Sequence, residues 1–150
     1  MSNDIANILN DLIKTSKDGE EGFILAAQHL LIEQDLKSII LDRTEGCKKA
    51  VEVLQKLVVQ FAVKPEESGS VLGAVHRGWL NIKSMLTDDD AYAILAECER
   101  GEDIAKSNYS KALSHDLPDD IRIVVQHQYE GVLKNHDLIK RLRDKHATKK

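Results

Sequence analysis

Residues 34–62 read QDLKSIILDRTEGCKKAVEVLQKLVVQFA, and apolar side chains recur in this stretch every three or four positions. The pattern predicts an amphipathic helix that ends before Pro65, because proline interrupts the backbone hydrogen bonds of a helix. Arg43 lies in the middle of the apolar face. The other members of this face are Leu36, Ile39, Ile40, Cys47, Ala50, Leu54, Leu57 and Phe61. A long helix with one apolar face buries that face against other helices, so the stretch favours a helical bundle.

Three further segments have the same helical spacing of apolar side chains: residues 3–32, 88–113 and 119–145. Gly19 and Gly22 interrupt the first segment, which indicates either a weak point in the helix or the close approach of another segment. Each segment also has a polar side chain near the middle of its apolar face. Together with the helix over 34–62, this gives four positions that a bundle is expected to bring into one buried layer. They are Glu20, Arg43, Glu102 and Gln128.

The connection between the second and third long segments, residues 63–87, contains a further apolar pattern over 71–86. A helix of that length nearly spans a bundle, so it is expected to cross from one end to the other. The fold class predicted for residues 1–150 is a single all-α domain, a four-helix bundle with a shorter helical crossover. The last residues, 146–150, are expected to form a basic tail that complements the dipole of the final helix.

Composition limits the function classes. The 150 residues suffice for one domain with a core, and the net charge of -4 argues against nucleic-acid binding. Neither a signal-peptide core nor an apolar run long enough to span a membrane is present, so a cytoplasmic location without a membrane partner is expected. Cys47 and Cys98 lie on apolar faces and are expected to be reduced core residues. A disulfide between them, or a response to oxidants, is the alternative.

Several motifs give the chain a resemblance to a known family. They are Asp18-Gly19-Glu20-Glu21-Gly22-Phe23, Arg43, His76-Arg77-Gly78-Trp79-Leu80, Arg100-Gly101-Glu102-Asp103, Tyr109, Gln128 and His136-Asp137. With them the chain resembles the bacterial ferritin-like four-helix-bundle proteins of unknown function, which have an aspartate–glycine box in the first helix. The resemblance covers roughly residues 5–142. It implies a ferritin-like bundle and no established activity.

Ferritin-like di-iron centres use one Glu from each of two helices and a Glu-x-x-His motif from each of the other two. No Glu-x-x-His occurs in this sequence, since Lys48 follows Glu45 at the histidine position and Leu133 follows Glu130. The guanidinium of Arg43 is suited to pair with carboxylates. The sequence therefore predicts a polar layer in place of a di-iron site, with Arg43 between two acids and no cofactor. The hydroxyl of Tyr109 is expected to reach this layer.

Two other interpretations remain open. A non-standard carboxylate site for iron, manganese or zinc could be formed by Asp18, Glu20, Glu99, Glu102 and His136. The crossover also carries a cluster that could pack in the core or form an interface, since Trp and Arg are enriched at binding hot spots. This cluster consists of His76, Arg77 and Trp79. The expected function is non-enzymatic: the protein assembles as a homo-oligomer or binds a protein partner.

Overall fold

The computed structural model describes residues 2–61 and 89–147. The predicted crossover over 63–87, with its cluster of His76, Arg77 and Trp79, lies outside the described residues. Most of the predicted basic tail, residues 148–150, lies outside them as well.

Four long helices make up the described part: α1 (Ser2–Gln28), α2 (Gln34–Val59), α3 (Ala91–Leu113) and α4 (Asp119–Ala147). No strand occurs among the described residues. Each helix buries its apolar face against its neighbours, and the predicted all-α four-helix bundle is confirmed. None of the described helices is long and apolar enough to cross a membrane.

The first helix ends at Gln28, before the predicted end at residue 32. The cause is Asp89, which directly precedes the N-cap residue of α3. Its carboxylate oxygen Oδ1 accepts hydrogen bonds from the backbone N–H groups of Leu31 at 2.7 Å and Ile32 at 2.9 Å. Its own N–H donates to the carbonyl of His29 at 2.7 Å. These bonds hold the chain in a turn there, and Asp89 itself takes a left-handed backbone conformation with φ 63°.

The start of α3 is fixed by the last acidic residue of the run over 88–90. Asp90 is the N-cap residue, and its carboxylate accepts a hydrogen bond from the N–H of Ala93 at 3.2 Å. At the other end of α3, the guanidinium of Arg122 on α4 donates to the carbonyl of Leu113 at 3.0 Å. Both ends of α3 are thus satisfied by side chains: Asp90 at its start and Arg122 of α4 at its end.

Two clusters of buried side chains form the core, one towards each end of the bundle. One is centred on Phe23, Leu30, Ile40, Leu95 and Ile139. The other is centred on Leu9, Leu54, Tyr109, Ile121 and Val125. The polar side chains predicted for the middle of the helices lie at or near the junction of the two clusters.

Candidate functional site

The centre of the bundle contains an ion pair between α2 and α3. Nη2 of Arg43 lies 3.0 Å from Oε1 of Glu102, and the Glu102 side chain is only 2% exposed. The guanidinium carbon of Arg43 also lies 5.3 Å from the centre of the Phe23 ring, within reach of a cation–π contact. The same Nη2 lies 3.8 Å from the sulfur of Cys47. The cation therefore has an acid, an aromatic face and a thiol as neighbours.

This ion pair is incompletely satisfied. Nε of Arg43 and Oε2 of Glu102 are both buried, and neither has a hydrogen-bond partner. The two side chains are thus joined through one oxygen of the carboxylate only. Buried polar atoms without a partner are uncommon in proteins and usually mark a bound water, an ion or a functional role.

Burial controls the pKa values of the acid and the thiols in the site, but not that of Arg43. It raises the pKa of Glu102, and the attraction of Arg43 offsets this only in part. For Arg43, burial opposes the charged form, but the carboxylate of Glu102 and neighbouring groups outweigh it, so its pKa is raised. Burial also raises the pKa of the Cys47 thiol to about 12, despite the nearby guanidinium. The pKa of Cys98 is raised by burial and by Glu102. Both cysteines are free and buried.

A second set of polar contacts lies beside the ion pair. The hydroxyl of Tyr109 donates to Oε1 of Gln128 at 2.7 Å. It lies 3.3 Å from Oγ of Ser16, which then acts as the donor to Tyr109. Nε2 of Gln128 donates to the carbonyl of Ala50 at 3.4 Å. This chain of hydrogen bonds links all four helices, and the Tyr109 hydroxyl takes part in it as the sequence predicts.

Glu20 does not join this arrangement as predicted. Its carboxylate pairs with Lys17 on the same helix at 3.6 Å, and its side chain is 15% exposed. The acid in direct contact with Arg43 is Glu102, whereas Glu20 pairs with a cation one turn away on its own helix. The structure brings Arg43 and Glu102 into direct contact, and Gln128 lines the same central space.

The candidate metal ligands also have other partners. The carboxylate of Glu99 pairs with Arg143 of α4, and Nε2 of His136 lies 2.6 Å from Oδ1 of Asp103. Asp18 is half-buried on α1. Across residues 2–61 and 89–147, no group of three or more His, Cys, Asp or Glu side chains is arranged to hold a metal ion. The five candidates therefore do not form one site in this part of the chain.

A cavity of about 380 Å³ adjoins the ion pair, and the sequence interpretation did not anticipate it. Each helix contributes one glycine to its lining: Gly19, Gly46, Gly101 and Gly131. A Cβ atom at Gly131 would meet nothing within 4 Å, whereas one at Gly46 would lie 2.8 Å from Nη1 of Arg43. At Gly19, the close neighbour is the Cys47 sulfur, 3.1 Å from the position of a Cβ. Gly19 in α1 thus reflects the close packing of α2 and not a break in the helix.

The cavity opens towards solvent between α2 and α4. The exposed members of its lining are Lys49 and Val53 on α2 and His127 on α4. Arg43, Glu102 and Tyr109 form its inner part and belong to the buried or nearly buried residues. The central polar groups can therefore be reached from one side of the bundle.

Comparison with known proteins agrees with this architecture. A mutant of Mycobacterium smegmatis Dps1 superposes on the chain with a TM-score of 0.76, and the alignment covers 95% of this chain and 96% of that chain. The sequence identity is 12%, so this likeness shows the fold alone. The class defined by the fold is the ferritin-like four-helix bundle.

The family follows from the sequence match. Residues 4–115 match the model of a domain of unknown function, DUF2383, and the chain belongs to this family. No curated protein matches the chain. Family membership agrees with the resemblance to ferritin-like proteins of unknown function.

Proposed function

We propose that this protein acts by association and not by catalysis. In this proposal it is a ferritin-like bundle whose centre holds the Arg43–Glu102 ion pair in place of a di-iron site, and it assembles with further copies of itself. The observation that carries the proposal is the guanidinium of Arg43, which lies 3.0 Å from the buried carboxylate of Glu102. A di-metal centre in a helical bundle needs several open acidic ligands, whereas Glu102 in this bundle is already paired with a cation.

The charges at the centre favour this interpretation. Two unit charges about 4 Å apart interact by roughly 4 kcal/mol at an effective dielectric constant of about 20, and the value doubles for a divalent ion. Arg43 would repel a metal ion at Glu102 about as strongly as Glu102 would attract it. The pair therefore offers a divalent cation little net attraction, and the nearby Glu99 already pairs with Arg143.

The surface supports association. Leu31 and Ile32, in the connection between α1 and α2, are 55% and 76% exposed. Their backbone N–H groups are both bound by the carboxylate of Asp89, so this apolar tip is held in one conformation. A preformed apolar surface loses little conformational entropy when it binds, which favours its use in an interface. A second copy of the chain is the partner that we propose.

Light scattering after size-exclusion chromatography tests the proposal. We expect the tag-free protein to be larger than a monomer at several concentrations. Replacing both tip residues with serine (Leu31→Ser with Ile32→Ser) should shift it towards the monomer. A matched variant at the opposite end of the bundle, Val59→Ser with Ile123→Ser, also removes two exposed apolar side chains and should leave the assembly intact. A protein that stays monomeric and retains no partner from lysate would contradict the proposal.

One observation favours a competing function, a carboxylate site for iron, manganese or zinc. Oε2 of Glu102 is buried and has no partner, so it could coordinate a metal ion if Arg43 moved. Elemental analysis of tag-free protein, followed by titration with each metal, separates the two functions. Stoichiometric metal with a higher unfolding temperature would support the metal site. Trace metal without a thermal shift would support the bundle without a metal centre.

A further inference from the structure

We propose that the central cavity is a binding site for a small organic carboxylate, which would bind Arg43 with its anionic group and the apolar lining with its body. This inference goes beyond the proposed assembly and does not depend on it. It rests on three features of the described residues: the space in the cavity, the unused donor capacity of Arg43, and the balance of charges around it.

The space is created by glycines at the centre of the bundle. Gly19, Gly46, Gly101 and Gly131 lie on four different helices and line the same cavity of about 380 Å³. This volume is within the range of small-molecule sites in proteins. At Gly131, a larger side chain would meet no neighbour within 4 Å of its Cβ and would favour the helix. Local packing therefore does not require this glycine, and the lack of a side chain leaves the cavity open at this point.

Arg43 lies at the inner end of the cavity, and some of its N–H groups make no hydrogen bond to the described residues. Both hydrogen bonds recorded for Arg43 among the described residues come from Nη2. Nε is buried without a partner, and Nη1 lies against Gly46, whose Cβ would be only 2.8 Å away. The guanidinium side chain is only 11% exposed. The N–H groups of Nη1, which make no hydrogen bond to the described residues, can donate charge-assisted hydrogen bonds to a carboxylate.

The charges of the lining favour an anion. Arg43 and Lys49 are the basic residues of the lining, and Glu102 is the acidic one. Because Glu102 balances the charge of Arg43, the net positive charge of the lining comes from Lys49, whereas Arg43 contributes hydrogen-bond donors that Glu102 does not occupy. Lys49 is exposed at the mouth of the cavity, where it can attract an anion from solvent.

The remaining residues of the lining favour an organic ligand over an inorganic anion. Beside the glycines, the walls include Val53, Ala105 and Val132. Such surfaces favour a ligand with an apolar part over a small inorganic anion such as phosphate, which keeps its strong hydration. The opening between α2 and α4 provides the path by which the ligand would enter.

Three probes with the same ring and different head groups test this proposal: benzoate, benzamide and benzylamine. Each is titrated into the full chain and followed by protein NMR. We expect saturable binding of benzoate with shifts at residues of the cavity, at least about tenfold tighter than for the other two probes. Absence of saturable benzoate binding at millimolar concentrations would overturn the proposal. Equal binding of benzylamine or benzamide would overturn it too, because the cation would then play no role.

Variants locate the site. Gly131→Leu fills the cavity without removing a polar group and should abolish benzoate binding, whereas Lys134→Leu on the exposed side of α4 should not. Lys49→Gln should weaken binding several-fold and leaves the buried core unchanged. Arg43→Gln should abolish benzoate binding. If that variant fails to fold, the Gly131→Leu and Lys49→Gln variants test the proposal without it. Unchanged binding by Gly131→Leu would overturn the proposal. The assembly measured by light scattering is independent of all these outcomes.

Discussion

Arg43 on α2 and Glu102 on α3 are 59 positions apart in the sequence, yet their side chains meet at 3.0 Å in the centre of the bundle. Each keeps one buried polar atom without a partner, Nε in one case and Oε2 in the other. The two opposite charges thus compensate each other, but the hydrogen bonding of the two side chains is incomplete. Such a pair contributes little stability compared with apolar packing, but removal of one partner leaves the other as an unpaired buried charge.

The first prediction concerns the stability that is lost when one partner of this pair is removed. Arg43→Leu should lower the free energy of unfolding by about 3–5 kcal/mol, because Glu102 then loses its partner. The double variant Arg43→Leu with Glu102→Leu should recover part of this loss, since no charge is left buried. Urea denaturation followed by circular dichroism measures both.

Asp144→Leu provides the control. Asp144 also belongs to an ion pair, with Arg143, but its own side chain is 60% exposed, and Arg143 keeps Glu99 as a second partner. Exposed pairs contribute about 0–1 kcal/mol, so this variant should change the unfolding midpoint little. Equal losses for Arg43→Leu and Asp144→Leu would contradict the central role of the buried pair.

The second prediction concerns pH. Burial raises the pKa of Glu102 in the folded state, so the folded protein binds this proton more tightly than the unfolded chain does. The contribution of Glu102 to stability is then fully present below the pKa of the unfolded chain, about 4.3, and is lost as pH rises through the folded value. Relative to Glu102→Gln, the wild type should lose stability as pH rises from about 4, by at most about 1.4 kcal/mol per pH unit.

Urea denaturation of the wild type and of Glu102→Gln over this pH range checks the sign. Other titrating groups contribute equally to both proteins, so the difference between the two curves isolates residue 102. A difference that grows in favour of the wild type as pH rises would show that attraction to Arg43, and not burial, controls this carboxyl group.

The helices and their inward faces could be predicted from the sequence because apolar spacing is a local property. The contact between Arg43 and Glu102 could be predicted from the same spacing, since both residues lie on inward faces of their helices. The end of α1 could not be predicted in this way. It depends on Asp89, which binds the N–H of Ile32 from 57 positions away. Such a contact is set by the path of the chain and leaves no periodic signal.

The site was predicted only in part, for two physical reasons. Lys17 stands three positions before Glu20, a helical spacing at which a cation and an acid can pair, so this local partner is visible in the sequence. Arg143, in contrast, reaches Glu99 from another helix, 44 positions away, and only the packing of α3 on α4 brings them together. The cavity has a visible signal, one glycine near the middle of each helix, but its volume depends on distances between helices.

The third prediction uses these glycines. Gly131→Ala should raise the free energy of unfolding by about 0.5–1 kcal/mol, because alanine favours the helix and its Cβ meets no neighbour. Gly46→Ala gains the same helix propensity, but its Cβ would lie 2.8 Å from Nη1 of Arg43. Nη1 of Arg43 would have to shift while Nη2 is bound to Glu102, so this variant should be less stable than Gly131→Ala. Thermal or urea denaturation of both variants measures the difference. Equal stabilisation by both would show that Arg43 is free to move.

The last prediction concerns the thiols. Burial raises the pKa of Cys47 to about 12 and also raises that of Cys98, so very little of either is thiolate near neutral pH. Because the thiolate is the reactive form, both cysteines should react with a disulfide reagent such as DTNB only as fast as the fold opens. We expect slow labelling of the native protein at pH 8 and complete labelling of both thiols in urea. Mild peroxide should leave both intact. Fast native labelling of either cysteine, or a peroxide-induced change in mobility, would contradict this and would favour oxidant sensing.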